Sequence, residues 1–136
     1  MIGTEQQKAL LALAAEARSH SYSPYSHYAV GAALLTEDGE IYQGCNIENA
    51  SFTPTICAER TAFFKAIFDG KRDFAAIAVI GSGETPAFPC GVCRQVMAEF
   101  CGKDFLIITS NRDCTEVIVK TLDQMLPCSF GPKDMP

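Results

Sequence analysis

Nothing in this chain of 136 residues offers a grip for a polyanion. Lys and Arg total 11 against 16 Asp and Glu, the formal charge is -5, and no Lys/Arg cluster breaks the acidic balance. A phosphate backbone therefore finds no electrostatic footprint, and nucleic acid is not the expected partner. Long apolar runs are missing as well. No stretch approaches the eighteen or so residues that span a bilayer, and the amino terminus lacks a basic flank followed by an apolar run and a small-residue cleavage site. The expectation is a cytoplasmic protein with no membrane partner. Internal repeats are absent, and histidine is scarce, with only His20 and His27. Neither is expected to be a metal ligand, since both lie in or near a turn-rich aromatic loop.

Cysteine, by contrast, is abundant: seven residues, an odd number that a complete disulfide framework would leave unbalanced. In a reducing compartment all seven stay free, which turns attention to metal binding. With 48% hydrophobic and 20% charged residues, the composition is that of an ordinary globular domain. The length fits one domain, 1–136, with a single core.

Pattern and punctuation divide the chain. Thr4-Glu5-Gln6-Gln7 has the form of a capping box, and Leu10, Leu11, Leu13, Ala14 and Ala17 stripe a helix to about Ser19. Ala29 to Thr36 and Glu40 to Asn46 form a hairpin around Glu37-Asp38-Gly39. A helix runs from Cys57 to Phe68 and stops at Asp69-Gly70. Phe74 to Ile80 is a buried strand, Cys90 to Cys101 a helix closed by Gly102, and Phe105 to Ser110 another buried strand. Thr115 to Lys120 is the last strand, followed by a short helix over 121–126 and a tail. This order predicts a three-layer α/β/α fold on a five-stranded mixed sheet. A helix joins the two central strands, which can be parallel. The link 111–114 is too short for a crossover, so the last strand must be antiparallel.

Cys57-Ala58-Glu59 opens one of these helices and Pro89-Cys90-Gly91-Val92-Cys93 another. Helix amino termini favour negative charge and lower thiol pKa, which yields the thiolates that zinc requires. Cys57, Cys90 and Cys93 are therefore the expected metal ligands. Three protein ligands leave a fourth position open, the mark of a catalytic zinc and not of a closed structural one. Glu59, two residues after its cysteine, is placed to shuttle protons without being a ligand. Three thiolates on one dication leave a net charge of -1, and Arg60 is the candidate to offset it. Two other readings stay open here: a redox-active Cys-x-x-Cys, and a closed structural site with Cys45 or His27 as fourth ligand, making the protein a zinc-stabilised binding module. Cys45, Cys101, Cys114 and Cys128 are expected to be packing residues.

The order of a Cys two residues before a Glu, then Pro-Cys-x-x-Cys, is the general signature of zinc deaminases of nucleobases. Beyond it, the chain resembles the small homotetrameric cytidine deaminases over nearly its whole length. The matching pieces are Tyr25-Ser26 with Val30-Gly31-Ala32-Ala33-Leu34, Gly44-Cys45-Asn46-Ile47-Glu48-Asn49, Cys57-Ala58-Glu59-Arg60-Thr61-Ala62, Pro89-Cys90-Gly91-Val92-Cys93-Arg94-Gln95, and Leu126-Pro127 with Phe130. The resemblance implies one zinc per subunit and pyrimidine salvage by deamination of cytidine and deoxycytidine to uridine and deoxyuridine, with release of ammonia. It implies that Asn46 and Glu48 bind the ribose, that the Ala58 backbone N–H meets the pyrimidine carbonyl, and that Tyr28, where Phe is common, stacks on the base. It further implies that Phe130, in a tail of about 127–136, closes a neighbouring subunit's pocket in a tetramer. Glu59 would pass a proton from the attacking water to N3 as the water oxygen adds to C4. The stretch Phe52-Thr53-Pro54-Thr55-Ile56 departs most from the family pattern. A deaminase of a cytosine nucleoside antibiotic of the blasticidin S type shares both zinc motifs but lacks the Asn-x-Glu pair present here as Asn46-Ile47-Glu48.

Overall fold

The computed structural model describes residues 2–136. Its elements are α1 (Thr4–Arg18), β1 (Val30–Thr36), β2 (Ile41–Cys45), α2 (Ala58–Phe68), β3 (Phe74–Gly81), α3 (Gly91–Phe100), β4 (Leu106–Ser110), β5 (Val117–Thr121) and α4 (Leu122–Met125), with a 3₁₀ turn over Pro132–Asp134. The five strands form one sheet in the order β2-β1-β3-β4-β5. β3 and β4 run parallel through the α3 crossover, and every other neighbouring pair, including the final β4–β5, is antiparallel.

Alternation along the strands builds two cores. Ala33 and Leu35 of β1, Ala76, Ala78 and Ile80 of β3, and Leu106 and Ile108 of β4 face Leu10, Leu11 and Ala14 of α1. Ala32, Leu34, Ile77, Val79 and Ile107 face the other way, onto Ala62, Phe63, Ala66 and Met97 of α2 and α3. Period-two burial on both faces is what a central strand between two helical layers requires, so the α/β/α sandwich follows directly. Two glycines let the helices seat closely. A Cβ on Gly31 would stand 1.9 Å from the Ala14 carbonyl oxygen, and one on Gly44 would stand 2.4 Å from that of Ala58.

Two helix ends differ from expectation. Thr4 lies inside α1, and Gly3, in extended conformation, is its N-cap without any side-chain cap. The capping box expected at residues 4–7 does not form, because the chain enters the helix one residue earlier through a backbone bond from the Gln7 amide to the Gly3 carbonyl. The same pattern does form at Thr121-Leu122-Asp123-Gln124, where Thr121 and Gln124 exchange hydrogen bonds. At the end of α2, Gly70 takes φ 88°. Its amide reaches Ile67 O and that of Lys71 reaches Ala66 O, the paired bonds of a Schellman stop. Gly102 does not close α3. Cys101, already extended, ends that helix.

Register sets where function can gather. Gly31 pairs with Cys45 and Val30 with Gly81, so the start of β1 and the ends of β2 and β3 share one edge of the molecule.

Candidate active site and metal centre

At that edge, α2 and α3 begin. Cys57 is the N-cap of α2 and Cys90 that of α3, with Cys93 in the first turn of α3. Cys57 Sγ lies 3.8 Å from Cys90 Sγ, which lies 3.6 Å from Cys93 Sγ. A disulfide would need about 2.05 Å. Sulfurs on three corners of a tetrahedron, each about 2.3 Å from a zinc ion, are separated by about 3.8 Å. The three thiols thus fit one tetrahedral metal ion without movement of the backbone. Among the described residues they are the one group of three or more potential ligands so arranged, and neither Cys45 nor His27 joins it. Cys45 instead directs its thiol to the His20 carbonyl. A closed four-ligand site therefore has no candidate partner here.

Electrostatics at the cluster are those of a thiolate trap. The Cys57 thiol is pulled down to about 5, chiefly because the Cys93 thiol donates to its sulfur, with Arg60 adding to the effect. Cys93 is correspondingly raised, holding the shared proton. Arg60 Nη2 lies 3.5 Å from Cys57 Sγ, so the guanidinium stands where excess negative charge accumulates. Its Nε is buried with no partner. Glu59 is 4% exposed. Burial pushes its carboxyl up to about 7, which leaves it able both to take and to give a proton near neutrality.

One cavity of about 490 Å³ is lined by Glu59, Cys57, Cys90, Ala58, Asn46, Glu48 and Tyr28 together. Eight of the residues singled out from sequence, Cys93 among them through its cluster, thus converge. Phe130 does not line this cavity. It is 60% exposed, and its carbonyl accepts from Gln95 Nε2 at 2.9 Å.

The polar pair is committed to the protein as well as open to a ligand. Asn46 Oδ1 accepts from the Val30 amide at 2.9 Å and from Ser21 Oγ, and its Nδ2 donates to the Tyr28 carbonyl at 2.8 Å. That leaves one amide hydrogen free. Glu48 Oε1 accepts from the Tyr25 and Ser26 amides at 3.0 and 3.1 Å, and Oε2 from the Ser26 hydroxyl. These bonds, the Ser26 hydroxyl foremost, hold the carboxyl below its ordinary range, so it remains an anionic acceptor.

No role was legible in the sequence for Ser21 or Ser26, which orient Asn46 and Glu48, nor for the wall made by Pro86, Ala87 and Phe88. Tyr25-Ser26 was a visible signal. Residues 86–88 carried none beyond adjacency to Cys90. In the unusual 52–56 stretch, Phe52 takes φ 64° and packs edge-on against Tyr25 at 6.3 Å, while Thr55 and Ile56 line the cavity.

Known proteins resemble this chain over most of its length. A family model described as the cytidine and deoxycytidylate deaminase zinc-binding region matches residues 4–109. The cytidine deaminase of Sporosarcina psychrophila is 49% identical over 93% of this chain and 92% of its own. That of Halalkalibacterium halodurans is 48% identical over 93% of this chain and 95% of its own. The crystal structure of cytidine deaminase from Burkholderia pseudomallei superposes with a TM-score of 0.87 at 46% identity, covering 90% of this chain and 98% of that one.

Proposed function

Because the chain belongs to the cytidine and deoxycytidylate deaminase zinc-binding family, we propose that the cavity at the starts of α2 and α3 is where it deaminates a free nucleoside. The activity is zinc-dependent hydrolytic deamination of cytidine to uridine and ammonia. The observation that carries the assignment to this cavity is that a three-thiol cluster, through Cys57 and Cys90, and one buried carboxylate meet on the space that Asn46, Glu48 and Tyr28 also line.

Cys57, Cys90 and Cys93 would hold the zinc. When bound there, it supplies a Lewis acid that makes water a nucleophile near neutral pH. Tyr28 offers its ring as a stacking face for the cytosine, and the Ala58 amide, in the first turn of α2 with no intrahelical acceptor, is free to meet the pyrimidine carbonyl. Glu48 accepts from a ribose hydroxyl and Asn46 donates its remaining amide hydrogen to another, so the sugar is recognised by a matched acceptor and donor. Glu59 takes a proton from the attacking water and gives it to N3 as the water oxygen bonds to C4. It then takes the remaining proton from the C4 hydroxyl and delivers it to the exocyclic nitrogen, the C4–N4 bond breaks as the C4 carbonyl forms, and ammonia leaves. Nothing in this scheme requires the 2′-hydroxyl, so deoxycytidine is a substrate too. Arg60 steadies the thiolates.

A homotetramer with shared sites is the assembly proposed, supported by the family resemblance and by apolar surface that a lone chain leaves exposed. Phe64 and Phe68 on the outer side of α2 line an apolar groove with Ile47, Ile56 and Tyr42, and Phe68 is 91% exposed. A cytoplasmic location is proposed because the seven cysteines are free, a state that a reducing compartment maintains. No described helix is long and apolar enough to cross a membrane.

Incubation of the zinc-loaded protein with cytidine, deoxycytidine, cytosine, adenosine and a peptidyl cytosine nucleoside, followed by ammonia release, tests the reading. Turnover is expected for the first two alone. Glu59→Ala should keep its zinc by elemental analysis yet lose at least about 10²–10⁴-fold in kcat. Loss of the metal would instead make Glu59 a ligand.

A further inference from the structure

Tyr28 lies two residues before β1 and Gly83 two residues after β3. β1 and β3 are antiparallel with Val30 opposite Gly81, so continuing the register sets Ala29 opposite Ser82 and Tyr28 opposite Gly83. A hydrogen bond of 3.0 Å from the Ala29 amide to Ser82 Oγ ties the two segments beyond the sheet. The phenol of Tyr28 lies across both glycines. A Cβ on Gly81 would stand 2.2 Å from the Tyr28 hydroxyl oxygen, 2.8 Å from Cζ and 2.9 Å from Cβ of Ala87. On Gly83 it would stand 3.3 Å from Cε2, and all three of its nearest atoms belong to Tyr28.

Neither glycine is required by the backbone, because only Gly39 and Gly70 among the glycines have positive φ. Space is the requirement. Gly81 is fixed from the opposite side, where Arg18 Nη1 donates to its carbonyl at 2.7 Å. The main chain of Tyr28 is fixed as well, its amide donating to Ser26 Oγ at 3.0 Å and its carbonyl accepting from Asn46 at 2.8 Å. With main chain and slot both held, the ring has one plane open to it. The same tyrosine lines the cavity that holds Glu59.

We propose that Gly81 and Gly83 form a slot for the Tyr28 phenol that sets the plane against which the pyrimidine stacks, which makes Gly81 a positioning residue for nucleoside binding. This rests on Tyr28 being the stacking face. A side chain at position 81 strikes the hydroxyl first, tilts the ring toward the cavity, and weakens binding while leaving the thiols and Glu59 in place.

A double-mutant cycle with Gly81→Ala and Tyr28→Phe tests it, reading KM and kcat for cytidine, zinc content and melting temperature. Gly81→Ala is expected to raise KM roughly tenfold, with kcat changed by no more than about threefold. In the Tyr28→Phe background the oxygen at 2.2 Å is gone and Cζ at 2.8 Å is the nearest ring atom left, so the same substitution should raise KM by a smaller factor, about threefold. An equal rise in both backgrounds overturns the slot. Should Gly81→Ala not fold, Gly83→Val, in the irregular loop, decides the matter: a raised KM at unchanged melting temperature supports the slot, and an unchanged KM removes it. Tyr28→Ala separates the two layers of inference. If it leaves KM at the parent value, the stacking role of Tyr28 fails, and the slot's function with it. If it raises KM while the cycle shows no coupling, the stacking role stands and the slot alone is lost.

Discussion

Arg60 shows how one side chain can answer a charge problem set by three others. Zinc held by three thiolates is net negative, which blunts its power to acidify water, and the guanidinium 3.5 Å from Cys57 Sγ draws some of that negative charge away. Arg60→Gln is therefore expected to keep the metal but lower kcat by about 10- to 100-fold, an effect of the order of one charge-assisted hydrogen bond of about 1.5–3 kcal/mol. Full activity at neutral pH with normal zinc content would show that the sulfurs need no such partner. Asn46 and Glu48 carry a related lesson. The family resemblance pointed them to ribose, and the structure adds that each is oriented by hydrogen bonds to the loop 21–28, so sugar binding depends on Ser21 and Ser26 too.

At the scale of elements, close seating of helices on the sheet and the tie across the hairpin turn matter most. Gly44 on β2 faces α2, where a Cβ would meet the Ala58 carbonyl oxygen at 2.4 Å and the Ala62 amide at 2.6 Å. Backbone atoms do not yield as side chains do, so Gly44→Ala should cost about 3 kcal/mol or more, seen as a lower midpoint in urea. Because Ala58 begins the helix that carries Cys57 and Glu59, zinc occupancy should fall with it. A midpoint within error of the parent would mean that α2 is free to move. The hairpin turn is pinned by Lys71, 2.8 Å from Asp38 and 3.2 Å from Glu40. Lys71, with help from Thr36, lowers the Asp38 carboxyl from 3.8 to about 2. A carboxyl depressed in the folded state stabilises it above pH 4, and that contribution is lost as pH falls toward 2. Asp38→Asn should accordingly flatten the fall in melting temperature between pH 4 and 2. An acid limb identical to that of the parent would show that the pair is already broken in solution.

For the whole molecule, the proposed tetramer sets the expectation, and the apolar surface left bare supports it. Phe68, Phe52, Phe130 and Val92 are more than half exposed, an arrangement that copies of the chain would cover on assembly. Phe130 lies outside its own chain's cavity, with its backbone anchored to Gln95 of α3, so its ring is available to a neighbour. Size-exclusion chromatography with light scattering should give a mass four times that of one chain. Phe130→Ala should raise KM for cytidine while the active sites within each subunit keep their zinc. A monomer with full activity would refute both the assembly and the shared site.

Much of this was legible in the sequence, for local reasons. Period-two and period-3.6 patterns, Asp69-Gly70 and the short link before β5 specified the elements and the antiparallel last strand, because each depends on a few neighbouring residues. Cys57, Glu59, Cys90 and Cys93 declared zinc chemistry by spacing at two helix starts. Where local signals competed, as between Gly3 and Thr4 at the start of α1, the sequence pattern chose the wrong cap. What only the tertiary structure decided is how segments far apart in the chain meet. The register of β1 against β2 and β3 gathers Tyr28, Asn46, Cys57, Gly81 and Cys90 at one edge, and the distances between sulfurs follow from how two helices rest on one sheet. No spacing along the chain encodes that Gly81 must be small for Tyr28 to lie flat, since that requirement exists only once the two strands are paired.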